Sequence, residues 1–399
     1  MIFEIVLFIL IGIACGTVTG LTPGIHINLI SALVMAYSFK LTSLFDPLFI
    51  ATGLISMAIT HTFLDILPTT FLGAADADNA ASTLPSHKLL FEGRAKESIS
   101  LALIGGFFGL ILIVLLTPII IIIIPKAYEI IQNYIPVILI YISLSMIYKS
   151  KNKKIALTIF ALSGALGILT FSLKTLNQPL LPLLSGLFGV SALVLSIKNK
   201  IKIPIQKENI KLNLNKIDLV KNLLAGIIAS LLTSFLPGLT SSHTTAIAST
   251  IKKTDGNKDY ILINNSISTV SMYLSIIALY SIEKARNGVI VTLSNIIEIT
   301  RIHLFFFAAV SFVAAFISIL MTLKLTNIFS RIAPKINYQI LSLLIICFIL
   351  ILTSFLSGPL GLLVLIASTS LGIFSLLIET ERTHLMGVLI LPVIFYLLM

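Results

Sequence analysis

Two long apolar runs of this chain are interrupted in the same way. Leu21–Asn28 reads LTPGIHIN, and Phe235–His243 reads FLPGLTSSH. Pro removes a backbone donor and Gly frees the dihedrals, so a helix is expected to end at each pair. The rest of the sequence makes such an interruption costly. Of 399 residues, 57% are hydrophobic and 11% charged, against roughly 25% charged in soluble domains. Apolar runs of about 20 residues, the length that spans a bilayer, recur from end to end. An all-α, multi-pass protein of the plasma membrane is the fold expected. In lipid, a broken helix is tolerated only where protein or a watery cavity covers the freed backbone groups. Two such breaks at matching positions point to a transporter's binding site.

The breaks belong to a wider pattern. Seven apolar elements are expected in the first half, near 3–22, 25–39, 47–70, 98–124, 130–148, 155–173 and 178–197. Seven more follow near 218–236, 239–251, 260–282, 302–325, 338–357, 360–378 and 385–399. Pro23 and Pro237 lie 214 residues apart, and the same offset pairs Gly12 with Gly226, Thr19 with Thr233 and Gly24 with Gly238. This is an internal duplication: a first membrane repeat at 1–197, a basic linker at 198–216 and a second repeat at 217–399. Seven crossings is an odd number, so the second repeat is expected to be inverted.

The net charge of +11 is read as basic loops held in the cytoplasm, not as a nucleic-acid surface. With the N-terminus outside and all fourteen elements crossing, most of the 27 Lys and Arg fall inside. Only Lys40, Lys126, Lys174, Lys284, Arg286 and Arg301 remain outside. A re-entrant path for 25–39 and 239–251 sorts the charges less well. The lysine-rich linker is expected to be a solvated cytoplasmic strap. Cys15 and Cys347 lie in apolar runs and read as buried free thiols. No cleaved signal peptide is expected, because Glu4 and an apolar run open the chain.

The residues that can carry chemistry gather at the breaks. Thr22, Pro23, Gly24, His26 and Asn28 surround the first. Pro237, Gly238, Thr240, Ser241, Ser242 and His243 surround the second. Asn264 and Asn265 open the third element of the second half and are expected to face the same cavity. Each helix that starts after a break presents unpaired N–H groups and a positive dipole end, a ready anion site. His61 and Asp65 stand at i and i+4 inside an apolar element, on one helix face. A proton relay and a structural pair both fit them, and further metal ligands are not evident. His26, His61, Asp65 and His243 are the candidates for ion coupling. Asp76, Asp78 and Asn79 start like a calcium loop but lack its glycine. There is no Walker motif and no G-x-S-x-G, so neither a cofactor nor an enzymatic role is expected.

These residues carry a family likeness. The twin Pro-Gly breaks, the stretch Pro182–Gly189, Gly93-Arg94-Ala95 with Gly105-Gly106, and Thr383–Gly387 with Pro392 resemble the large membrane subunit of the tripartite tricarboxylate transporters, the TctA family. Loop 72–94 and the chain's ending look like its short archaeal-type branch of uncharacterised members. The resemblance implies a secondary transporter permease with inverted repeats, working on an organic anion. It also implies a small membrane subunit and an extracytoplasmic solute-binding protein as partners. Proton and sodium are the coupling cations considered. The competing expectation is a membrane-embedded enzyme using His61, Asp65 and the Asp76–Asp78 loop, or a membrane protein that transports nothing.

The topology is open to a direct check. In a version without Cys15 and Cys347, single cysteines at Ser150 and Lys207 are expected to react with an impermeant reagent only from the cytoplasm. Labelling of either from outside overturns the orientation.

Overall fold

Each apolar run becomes helix. The computed structural model describes residues 1–22, 27–73, 83–198, 203–208, 212, 214–235, 241–252, 256–285, 287–335 and 337–399. The first half contains α1 (Ile2–Leu21), α2 (Ile27–Ala36), α3 (Ser38–Leu44), α4 (Pro47–Leu64), α5 (Ile66–Leu72) and α6 (Thr83–Phe91). It continues with α7 (Ala95–Ile131), α8 (Ile135–Lys149), α9 (Lys153–Ser172), α10 (Leu180–Leu184), a π-helical stretch Ser185–Val190 and α11 (Ser191–Lys198). The second half contains α12 (Lys216–Phe235), α13 (Ser241–Lys252), α14 (Asn257–Ile282), α15 (Gly288–Ile296) and α16 (Arg301–Ile332). It ends with α17 (Tyr338–Leu377), a 3-10 turn Arg382–Met386 and α18 (Gly387–Leu398).

Polar residues between the runs start several of these helices. The Asp46 carboxylate accepts from Leu48 N at 2.8 Å, with Pro47 at the first helical position. Thr300 and His303 cap α16 reciprocally. Among the described residues, nine helices are long and apolar enough to cross a membrane, or ten if α2 and α3, bent by 73°, count as one. The described part of α2 covers about 15 Å and that of α13 about 18 Å at 1.5 Å per residue, each shorter than a 30 Å core. α17 is kinked at Gly358, whose φ of +66° leaves the helical region just before Pro359, where the sequence pattern placed a break. α7 instead runs through Pro118 and Pro125. Its break comes at the 3-10 turn Gln132–Tyr134, later than expected.

The two most buried spans are those built on α4 and α14. α1 and α16 cover α4, while α12 and α7 cover α14. Each half thus sends one long helix across to the inner helix of the other. Small residues allow the approach. Gly12, Gly16 and Gly20 line the face of α1 on α4, where a Cβ at Gly16 would sit 2.5 Å from Met57 O. A Cβ at Gly105 of α7 would strike Leu262 O of α14. At the ends of these helices Glu97 binds both Arg94 (Nε–Oε2 2.8 Å) and Lys258 (Nζ–Oε1 2.7 Å).

Two expectations are corrected here. The linker is not a free strap over 203–208. Gln206 is buried, accepts from Ala95 N at 3.0 Å and donates to Leu90 O at 3.1 Å, and Lys207 N bonds Gly93 O. Its amide fills the open N-terminus of α7, which gives a polar side chain a reason to leave water. Cys15 is half-buried and Cys347 exposed on its helix.

The packing yields a paired test. Gly105→Ala forces a methyl against a backbone carbonyl and is expected to cost about 1–3 kcal/mol, the usual cost of overpacking. Gly189→Ala meets nothing within 4 Å and is expected to be neutral. Thermal unfolding of the two purified variants checks this, and equal stability contradicts the packing.

Candidate functional site

α1 stops at Leu21. Thr22 is extended (φ −103°, ψ 106°), and its N–H still reaches Val18 O. Helix resumes at Ile27. α12 is described to Phe235 and α13 from Ser241. The two Pro-Gly pairs stand between these helices in the sequence. Pro23, Gly24 and His26, and Pro237, Gly238 and Thr240, lie outside the described residues. So do the side chains of Ser242 and His243, and the loop containing Asp76, Asp78 and Asn79.

The helix after the first break is held by the other half. Asn28 Oδ1 accepts from Gly288 N at 3.0 Å, which binds the start of α2 to the start of α15. Thr292 Oγ1 donates to Ser31 O at 3.0 Å one turn further along. Ile27, Met57 and Val289 close an apolar cluster beneath. Asn28, expected as a ligand contact, thus has a structural bond as well.

The helix after the second break is tied to α14. The Thr245 hydroxyl lies 2.7 Å from Ser241 O and 3.0 Å from Asn264 Oδ1. Ser241, Asn264 and Asn265 are all buried. Asn265 Nδ2 donates to Ile261 O at 2.9 Å on its own helix. A turn later, the hydroxyls of Thr269 and Thr62 meet at 3.2 Å, joining α14 to α4.

Next to that junction lie His61 and Asp65, both buried. His61 Nδ1 is 3.0 Å from Thr19 Oγ1, and its Nε2 is 3.9 Å from Asp65 Oδ2. The Thr19 hydroxyl also lies 3.2 Å from Gly16 O. If its hydrogen goes there, Thr19 accepts from His61 Nδ1–H, and Nε2 is left facing the carboxylate. Thr19, His61 and Asp65 thus form a buried row of polar groups between α1 and α4. The sequence placed His61 and Asp65 on one helix face; it did not indicate Thr19 as the third member.

Sequence reasoning also missed a buried cation. Arg382 was counted as a loop charge, yet it is only 6% exposed. Its Nη2 donates to Phe188 O and, at 3.1 Å, to Leu187 O in the π-helical stretch, and its guanidinium lies 5.2 Å from the centre of the Phe188 ring. A π-helical turn loosens its carbonyls from the α-pattern, so an outside donor finds them available. Close by, burial first and the Arg382 charge second drive the His87 imidazole below its ordinary range, to about 4. The only advance signal was the run of family-like residues around 383–387.

Residues 6–387 match the model of the Tripartite tricarboxylate transporter TctA family. An uncharacterised protein of Methanocaldococcus jannaschii is similar along the whole chain, 29% identical over 401 residues that cover 98% of each protein. No solved structure matches.

The docking of α2 can be tested by cross-linking. A Cβ at Gly288 would lie 3.2 Å from Asn28 Cβ, close to the roughly 3.5–4.5 Å of a disulfide. In a background lacking Cys15 and Cys347, Asn28→Cys with Gly288→Cys is expected to cross-link on mild oxidation. A protease cut engineered into the linker should then leave two fragments that separate only after reduction. Fragments that part without reductant contradict the docking.

Proposed function

Because this chain belongs to the tripartite tricarboxylate transporter TctA family, we propose that it is the permease that carries a small carboxylate anion across the membrane, driven by a coupled cation. The observation that carries this reading is the end of α1 at Leu21, with Thr22 extended, just before the first Pro-Gly pair. The matching pair, Pro237-Gly238, stands between α12 and α13 in the sequence. A helix that begins within the bilayer turns its free N–H groups and positive dipole end toward the break. Two such ends form an anion site without a salt bridge at the breaks.

On this reading the substrate sits between Thr22, Pro23, Gly24, His26 and Asn28 on one side and Pro237, Gly238, Thr240, Ser241, Ser242 and His243 on the other. Asn264 and Asn265 supply amides from α14. The charge of the anion is balanced by a proton or a sodium ion. The row Thr19–His61–Asp65, one helix away, supports the proton, with His26 and His243 as further carriers. Sodium held by carbonyls of the broken helices is the rival. The two halves, 1–197 and 217–399 with the linker 198–216, are inverted repeats that rock about this site. The exchange of α7 onto α14 and α16 onto α4 supports that symmetry. The family's description as tripartite supports a small membrane subunit and a solute-binding protein as partners.

Uptake by the purified chain in proteoliposomes tests this, with citrate as the first substrate and either a proton or a sodium gradient imposed. Gly24→Leu and Gly238→Leu place a side chain where the N–H groups meet the ligand. Each is expected to lower the initial rate by about tenfold or more, equivalent to about 1.4 kcal/mol, with normal membrane yield. Wild-type rates in both variants would reduce the breaks to structural kinks. Transport only of cations or of neutral sugars contradicts the anion site.

A further inference from the structure

Among the described residues, four buried side-chain nitrogens have no hydrogen-bond partner: His87 Nε2, Arg382 Nε, and both ring nitrogens of His384. All four lie on two short segments, α6 and the turn Arg382–Met386. The hydroxyls of Ser86 and Thr383, next to them in sequence, are unpartnered too.

Arg382 is the centre of this cluster. One of its nitrogens, Nη2, is committed to the carbonyls of Leu187 and Phe188. These are neutral acceptors, and among the described residues no carboxylate forms an ion pair with the guanidinium. A guanidinium stays charged in proteins, and a buried charge without a counter-charge is strongly destabilising. His87 faces it as a neutral imidazole at neutral pH. Gly73, at the end of α5, makes room for that ring: its φ is +65°, and a Cβ there would collide with His87 Cε1. The turn holding Arg382 also packs against α13, the helix behind the second break. With all fourteen elements crossing, the topology expected from the distribution of Lys and Arg, both segments lie on the cytoplasmic face.

We propose that Arg382 and His87 form an anion-binding site on the cytoplasmic side, which takes one carboxylate group of a small organic acid. The carboxylate accepts from Arg382 Nε–H and from an imidazole N–H of His87, and it supplies a counter-charge to the guanidinium. Arg382 keeps its grip on the π-helical carbonyls meanwhile. The site lies apart from the Pro-Gly breaks and serves as a cytoplasmic station for the same anion. Its link to the transported solute rests on the transport reading above; its capacity to bind a carboxylate does not.

The test is ligand binding by the full chain in detergent, read as thermal stabilisation during titration with citrate, succinate or acetate, with chloride as control. Carboxylates are expected to raise the unfolding temperature of the wild type at concentrations where chloride does not. Arg382→Gln is expected to weaken the apparent affinity at least tenfold. If that variant does not fold without its bonds to the π-helical carbonyls, His87→Asn, which leaves those bonds intact, is expected to weaken binding severalfold. Arg382→Lys, which keeps the charge, is expected to bind better than Arg382→Gln. Unchanged citrate binding in His87→Asn and in a folded Arg382→Gln overturns the proposal, leaving Arg382 as a structural cap. So does an equal response to chloride, because the site would then be a halide site. Binding that depends on these residues in a chain that takes up no citrate supports the site and counts against the transport reading.

Discussion

Every helix end or irregular turn buried away from water leaves backbone groups that need a partner, and the rest of this structure is arranged around that demand. The chain meets it in different ways at different places. At the start of α7 the amide of Gln206, from the linker, binds Ala95 N. At the π-helical stretch Arg382 donates to Leu187 and Phe188 carbonyls. At the start of α15 the donor Gly288 N is taken by Asn28 from the opposite half. In each case the partner comes from more than 90 residues away in sequence, so satisfying the backbone also ties distant parts of the chain together. The two Pro-Gly breaks are read as the exceptions, where the partner is supplied by the substrate.

The packing of the inner helices follows from the same medium. Lipid gives no hydrophobic reward for bringing one apolar helix against another, so close contact and buried polar bonds must hold them. The glycine face of α1 brings α4 near enough for Thr19 to reach His61 at 3.0 Å. Gly105 does the same for α7 on α14. Ser318 and Thr322 of α16 then bond Thr60 Oγ1 and Phe63 O on the other side of α4. A histidine and an aspartate are thereby held deep among helices by small residues rather than by strong charges.

Much of this fold was legible in the sequence, because apolar runs in lipid have few alternatives to helix. The positions of α1, α4, α9, α12 and α14 follow the hydropathy pattern closely, and the kink at Gly358 was marked by the Gly-Pro pair. The late break after α7 was not, because a proline inside a helix signals a bend or a break equally, and packing decides which. The site was legible only in part. Pro-Gly pairs flag where helices end, and the i, i+4 spacing of His61 and Asp65 flags a shared face. Arg382 was hidden because a single arginine between two apolar runs reads as a loop charge. Its burial depends on acceptors near residue 187, which no local pattern connects to it. Gln206 was hidden for the same reason, inside a linker whose lysines suggested solvent.

The central claim is that the two helix breaks together make one anion site. A cryo-electron microscopy map of the full chain with citrate bound tests it most directly. The account predicts citrate density enclosed by residues 22–28 and 237–243, with the helix starts of α2 and α13 turned toward it. Citrate density remote from both breaks, with their freed backbone groups bonded to other protein groups, would contradict it.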